Sequence, residues 1–343
     1  MPRFKQPQKY THILPNICSA QCICGDAKFV SKLNEDGKKK AKEELNELNE
    51  KDREIAVQTL RKWAIEQDWL KTPTDFDFLL RFIRVRKYSQ LGARETLENY
   101  WTNKSKFPEW FKHIDPADKK IQEVIKSGLM LCPRVYDKHG RRVIIGRLSG
   151  LDIKMLLSKE GIDTLYRASI MMYDYLSCDE NVQVHGLVAI SDYTGISMDF
   201  LKVWNPENKK KLMGYFQKSL PMRFKGFYLY NQPVFFDAMY AVIAPFMRQK
   251  FKDRMHLHGK SLVKIYEEVG MAALPDEYLP DDYDGPSAGS VKQITEEMIE
   301  DMMKPEFRNF IIDSSSGKYG VDLEKRKTAD KPPEASFRKL NVD

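Results

Sequence analysis

Apolar and polar positions alternate along this chain with two different periods, and the change of period divides it. Residues 38–67, KKKAKEELNELNEKDREIAVQTLRKWAIEQ, are helix-forming throughout, with Ile55, Leu60, Trp63 and Ala64 as an apolar stripe. Pro73, set between Thr72 and Thr74 and followed by Asp75, is a start signal for a helix over 76–86. Phe78, Leu79, Phe82 and Ile83 are its inward side. A further helix over 92–101 completes an all-helical module at 37–112. The period then shortens. LMLCPRVYDKHGRRVIIGRL alternates around Asp137-Lys138-His139-Gly140, which predicts a hairpin with a glycine turn. Beyond it, strand patterns at 185–190, 227–230 and 255–257 interleave with helical patterns at 162–176, 207–218, 234–249 and 262–269. That alternation requires crossovers, so 113–287 is predicted as an α/β domain with a mainly parallel sheet flanked by helices. A C-terminal helical unit is expected at 288–312, with its helix over 295–303. The leader, 1–36, and the polar, proline-containing tail, 313–343, are expected to be disordered.

Composition narrows the class without naming it. With 42% hydrophobic and 31% charged residues in 343, a globular core is available, and collagen-like or disulfide-scaffold classes are excluded. The formal charge of +7 is mild, but its distribution is not. Residues 202–260 hold 12 basic and 3 acidic residues, net +9; residues 267–306 hold 12 acidic and 2 basic, net −10. One segment therefore carries the whole cationic excess and points to an anionic partner. The longest apolar candidate, 239–247, is half a membrane span, and the start of the chain lacks a signal-peptide core. A cytoplasmic location is the expectation. Five cysteines, an odd number, suit a reducing compartment. Cys18, Cys22 and Cys24 have only His12 nearby, so free thiols are favoured over a metal site, and Cys132 and Cys178 read as core residues.

The common catalytic patterns are missing: no G-x-G-x-x-G after a strand, no Walker A loop, no H-E-x-x-H, no G-x-S-x-G. Asp192-Tyr193-Thr194-Gly195, past a predicted strand, fits a helix cap and turn better than a catalytic aspartate. His256 and His258 share a strand face and read as structural. A non-enzymatic, binding protein is expected, with no cofactor and no metal.

The most unusual stretch is 231–247, NQPVFFDAMYAVIAPFM, in which only Asp237 is charged. Pro233 suits a first helical turn, and Pro245 should loosen the far end. Phe235, Met239, Val242, Ile243 and Phe246 fall on one face, with Phe236, Tyr240 and Met247 widening it. A helix apolar nearly all round is either buried, or alternates between covering a pocket and touching lipid. Arg223 and Lys225 precede it; Arg248, Lys250, Lys252 and Arg254 follow. Cations framing an apolar helix are a peripheral-membrane pattern, each contributing about 1 kcal/mol at an anionic surface. A buried core helix with basic ends fits the same residues.

Several motifs, in order, resemble the CRAL-TRIO lipid-binding family, in its tocopherol-transfer, retinaldehyde-binding and clavesin branch. FLLRFIRVRKY (78–88) resembles the helical-module motif F-L-x-R-F-L-R-A-R-x-F. LPMRFKG (220–226), NQPVFF (231–236), PFM (245–247), KFKDR (250–254) and HLHG (256–259) resemble its lipid domain, and LPDEY (274–278) its closing motif. The likeness runs over residues 37–284. It implies a single hydrophobic ligand of the retinoid, tocopherol, carotenoid or phospholipid class, beneath a mobile gate helix at 234–247. It implies a phosphoinositide cleft at Arg86, Arg223, Lys225, Lys250 and Arg254. Pocket candidates are Tyr166, Ser169, Ile170, Tyr173, Ile190, Leu220, Met222, Phe227, Phe235, Met239 and Val242. Leu279-Pro280-Asp281 replaces the usual glycine pair, and Tyr173 replaces a serine, so tocopherol specificity is not carried over. The expected protein is a monomer that transfers lipid, associates reversibly with endosomal or plasma membranes, and binds no nucleic acid. A phosphoinositide-binding adaptor without cargo, a nucleic-acid binder on the same basic surface, and a lipid-directed enzyme are the alternatives.

Overall fold

Asparagines, more than the apolar stripe, shape the start of the fold. The computed structural model describes residues 29–150 and 152–329; Cys18, Cys22 and Cys24 lie outside the described residues. The Asn34 side chain accepts the Gly37 N–H and opens the helix Glu35–Leu45. Asn46 then takes a left-handed conformation (φ 65°) and ends it. Asn49 accepts the Asp52 N–H and starts a second helix, Glu50–Glu66. The single helix expected over 38–67 is therefore two, because cap chemistry outweighs a composition that is helix-forming throughout. Ile55 faces solvent rather than the stripe, while Leu60 and Ala64 are buried. Order also begins before residue 37, contrary to a leader running to 36. Phe29 stacks on Phe76 at 4.8 Å, Leu33 is buried, and Ser31 donates to Glu180 at 2.8 Å.

Asp75 caps the helix Phe76–Val85, which buries Phe78, Leu79, Phe82 and Ile83 as the pattern predicts. The next helix, Gln90–Lys106, outruns its prediction; Tyr100, Trp101 and Lys104 bury on its second half. The turn at Asp137–Gly140 leads back, antiparallel, from β2 (Met130–Leu131) into β3 (Arg142–Arg147). β4 (Leu187–Asp192), β5 (Phe224–Tyr230) and β6 (Met255–Leu257) then add in parallel, in the order β2-β3-β4-β5-β6. Successive parallel strands are neighbours, so right-handed crossovers all land on one face. The connecting helices are Lys159–Ser177, Pro206–Lys218 and Phe236–Ile243. Aromatic contacts agree: Tyr173 and Phe216 reach Phe224, and Phe251 reaches Phe227, both rings belonging to β5.

The tail expected to be disordered from 313 is ordered to 329. Helices Val291–Met303 and Pro305–Ser315 bury Met298, Met302, Phe307 and Ile311. Gly320–Val321 (β7) pairs antiparallel with Leu70–Lys71 (β1), and Leu323–Ala329 is helical. The polar composition hides three anchors. Tyr319 packs on Trp101 at 5.5 Å, Val321 is buried, and Arg326 pairs with Glu98 at 2.6 Å while lying over Trp69. One continuous core thus runs through the helical module, the sheet and the C-terminal helices. Two buried ionic ties cross it. Arg84 meets Glu47 at 2.7 Å and Glu180 at 3.0 Å. Lys104 meets Asp174 at 2.7 Å, with the Tyr100 hydroxyl donating to the same carboxylate at 2.8 Å.

Candidate functional site

The basic cleft begins with a distortion of β5. Leu187 pairs with Phe224 and Val188 with Gly226, so Lys225 is an extra residue on this strand, a β-bulge that re-aims its side chain. Its ammonium reaches Glu44, on the first helix, at 3.0 Å. Arg223 reaches the same carboxylate oxygen at 3.3 Å and also donates to the Val184 carbonyl. Gly186 admits that approach. It sits at φ +80°, and a Cβ there would fall 2.4 Å from the Arg223 carbonyl oxygen. Arg254 donates to the Phe224 carbonyl, and Arg86 donates to Thr96 Oγ1 at 2.5 Å.

These five residues share one electrostatic neighbourhood. Burial lowers the pKa of Lys250, and the charges of Arg254, Lys87, Arg223 and Arg86 lower it further. Burial also lowers Arg223; Glu44 opposes this and Arg254 adds to it. In Arg86 burial acts with Arg248 against Glu95. Glu44 itself lies below its ordinary value, since its bonds and charge contacts with Lys225, Arg223 and Lys40 overcome burial. The cleft is therefore a concentration of cations, two of which share Glu44. Motif matching finds neither Glu44 nor Lys87. Lys87 and Tyr88 are consecutive non-glycine residues at φ 52° and 66°, a strained turn that presents Lys87 between two helices. An R-K-Y run with no glycine gives no warning of it.

Beside the cleft the apolar stretch 231–247 is not one helix. Phe236–Ile243 is α-helical, Ala244–Phe246 is 3-10, and Gln249–Lys252 is a separate turn of helix. Pro245 makes the break, so the helix expected over 234–249 is shorter and its far faces rotate. Phe236 and Met239 are buried, Phe235 is half-buried, whereas Val234, Val242 (42%) and Phe246 (48%) are exposed. Val242 thus faces outward and does not line an interior. Gln217, on the Pro206–Lys218 helix, pins the end of the segment: it donates to the Phe246 carbonyl at 2.9 Å and accepts the Arg248 N–H at 2.6 Å.

The sheet shows where the interior is incompletely covered. β4 is central and covered by helices, and Val188 and Ile190 are fully buried, yet Ala189 and Ser191, which alternate with them, are only half-buried. Phe227, opposite Ala189, is half-buried too, as are Leu165, Leu212, Phe216 and Phe251 on the crossover segments. The helices thus cover the apolar side chains of the crossover face incompletely. Tyr166 and Tyr173 border it, against Trp110 at 4.1 Å and Phe216 at 4.8 Å. Leu220, Met222 and Ile170 are buried. Ser169 turns to Met130 on β2 and back to the Leu165 carbonyl. Ile190 pairs with Ile145 and Tyr228 while Phe227 pairs with Ala189, so Ile190 stands on the opposite face from Phe227. Strand parity therefore removes Ile190 from the pocket. A separate cavity of about 330 Å³ opens at the seam of the helical module and the C-terminal segment, by Lys71, Lys104, Phe111, Ser315 and Tyr319. Its lysines and serines make it unlike an apolar ligand site.

The remaining motif residues are structural. Asp192 accepts the Thr194 N–H and, at 2.6 Å, the hydroxyl of Tyr278 from the closing motif, forming a turn rather than a helix cap. His256 and His258 stack along Tyr228 at 5.3 and 5.7 Å. Among the described residues no group of three His, Cys, Asp or Glu side chains has metal-site geometry, and no helix is long and apolar enough to cross a membrane.

A helical module packed on a mainly parallel sheet, with crossover helices over an incompletely covered apolar face and a cationic cleft beside it, defines a mixed α/β protein. Sequence comparison makes the class specific: residues 126–284 match the CRAL/TRIO domain and 49–121 the Pinta-like UBA domain. The human protein named alpha-tocopherol transfer protein-like is 33% identical over 251 residues, 73% of this chain and 71% of the relative. Clavesin-1 of Xenopus laevis is 28% identical over 205 residues, 60% of each chain. Among solved structures, one titled Crystal structure of Sfh5 covers 74% of this chain and 99% of its own, at 14% identity and a TM-score of 0.44. The chain belongs to the CRAL-TRIO lipid-binding family.

Proposed function

We propose that the protein carries one hydrophobic ligand, of the retinoid, tocopherol, carotenoid or phospholipid class, and exchanges it at phosphoinositide-bearing membranes. The observation that carries this reading is the half-open crossover face of β4 and β5, beside a short helix with apolar residues on both its sides. In this reading Arg86, Arg223, Lys225, Lys250 and Arg254 meet the phosphates. Each contributes about 1 kcal/mol at an anionic surface, so the group achieves docking that no single member would. Val242 and Phe246, already exposed, enter the headgroup boundary. The segment from Phe236 to Phe246 then swings as a gate, and the ligand passes between bilayer and interior. No bond is made or broken, so the protein is a carrier and not an enzyme. It works as a monomer in the cytoplasm, visits endosomal or plasma membranes, and binds no nucleic acid.

Native mass spectrometry of the purified chain, followed by organic extraction, tests the cargo. One lipid per chain is expected, released faster when acceptor vesicles contain phosphatidylinositol bisphosphate. A chain that carries no lipid and moves none between vesicles contradicts the carrier reading, and phosphoinositide binding without cargo would make it an adaptor.

A further inference from the structure

Three consecutive lysines, Lys209, Lys210 and Lys211, begin the Pro206–Lys218 helix, and their side chains fare differently. Lys210 pairs with Glu207 at 2.8 Å and Lys211 with Glu109 at 4.0 Å, both toward the surface. Lys209 lies three residues before Leu212 and seven before Phe216, on the face those residues turn to the interior. Among the described residues it has no carboxylate partner; its ammonium lies 6.0 Å from the ring centroid of Tyr166, which borders the crossover face. The side chain keeps accessible area, yet surrounding protein lowers its pKa by burial alone, with no charge contributing. Lys209 is thus a half-buried cation set beside Tyr166 with no carboxylate to pair it, and such a group is stabilised when an anion completes it.

We propose that Lys209 selects a hydrophobic ligand bearing a carboxylate, holding that group at the Tyr166 end of the interior. One unpaired ammonium balances one negative charge, which matches a carboxylate better than a phosphate monoester. The proposal rests on the carrier reading above and adds the chemical class of the cargo.

The test uses the full chain, stripped of lipid, titrated with cis-parinaric acid and with its methyl ester, which share one polyene chain and differ at the headgroup. The wild type is expected to bind the acid at least about tenfold more tightly than the ester. Lys209→Met should weaken the acid about tenfold and leave the ester unchanged, which also reports an intact fold; Lys209→Arg should keep the preference. Equal affinities in the wild type, or an unchanged ratio in Lys209→Met, overturn the assignment while leaving the carrier reading intact. Failure of the wild type to bind either probe overturns both.

Discussion

Glu44 is the residue on which the cleft turns. It pairs with both Lys225 and Arg223, so under the proposed docking a headgroup phosphate would have to displace it. Exchanging one carboxylate for a phosphate keeps the two cations paired throughout, which lowers the desolvation barrier but also weakens net binding. Glu44→Gln is expected to tighten binding to phosphoinositide vesicles by roughly 1 kcal/mol, about fivefold, in a sedimentation titration. Weaker binding would show that Glu44 shapes the cleft rather than competing within it. Asp77 illustrates a different residue-scale effect. Burial, with the charge of Asp75, raises its carboxyl from 3.8 to about 6, despite Arg81. The folded state then holds the proton more tightly than the unfolded chain, so stability falls as pH rises from about 4 to about 6. Asp77→Asn removes that slope. Denaturant titrations should show the variant gaining on the wild type across this window and no further above it; parallel curves would refute the assignment.

At the scale of elements, the segment from Phe236 to Phe246 is a weakly anchored part of the crossover layer. Neither of its two helical pieces has a side-chain cap, and in the α-helical piece only Phe236 and Met239 are buried. Elements with few buried contacts open at low free energy. Gln217 supplies two hydrogen bonds at the point where this segment ends, and each contributes about 1 kcal/mol. Gln217→Ala is expected to speed ligand release about tenfold in a vesicle transfer assay, with little change in vesicle binding. Release at the wild-type rate would mean that the segment is held elsewhere or does not move.

Much of this was legible in residues. The order of motifs identified the family, and FLLRFIRVRKY, LPMRFKG and KFKDR named all five cleft cations before geometry brought them together. What stayed hidden was set by conformation and register. Nothing in the composition of 38–67 shows that Asn46 turns left-handed, and nothing in 313–343 shows that Tyr319, Val321 and Arg326 find partners in the helical module. Ile190 was misplaced because strand parity is fixed by pairing, not by apolarity. Helical spacing alone sets Lys209 on the face of Leu212 and Phe216.

For the whole molecule, the cationic cleft, the incompletely covered face of the sheet and one short apolar segment belong to a single body tied together by Arg84 and Lys104. The central claim is that this geometry couples anionic membranes to a lipid cargo. Lys87 and Lys250 probe it best, since both are exposed and neither has a carboxylate partner among the described residues. Reversing them leaves the fold and the Glu44 contacts in place. The decisive measurement is sedimentation of Lys87→Glu/Lys250→Glu with phosphatidylinositol bisphosphate vesicles, alongside mass spectrometry of its bound lipid. Loss of vesicle binding by at least about tenfold, with the lipid retained, is the expected result. Undiminished binding to those vesicles would contradict it.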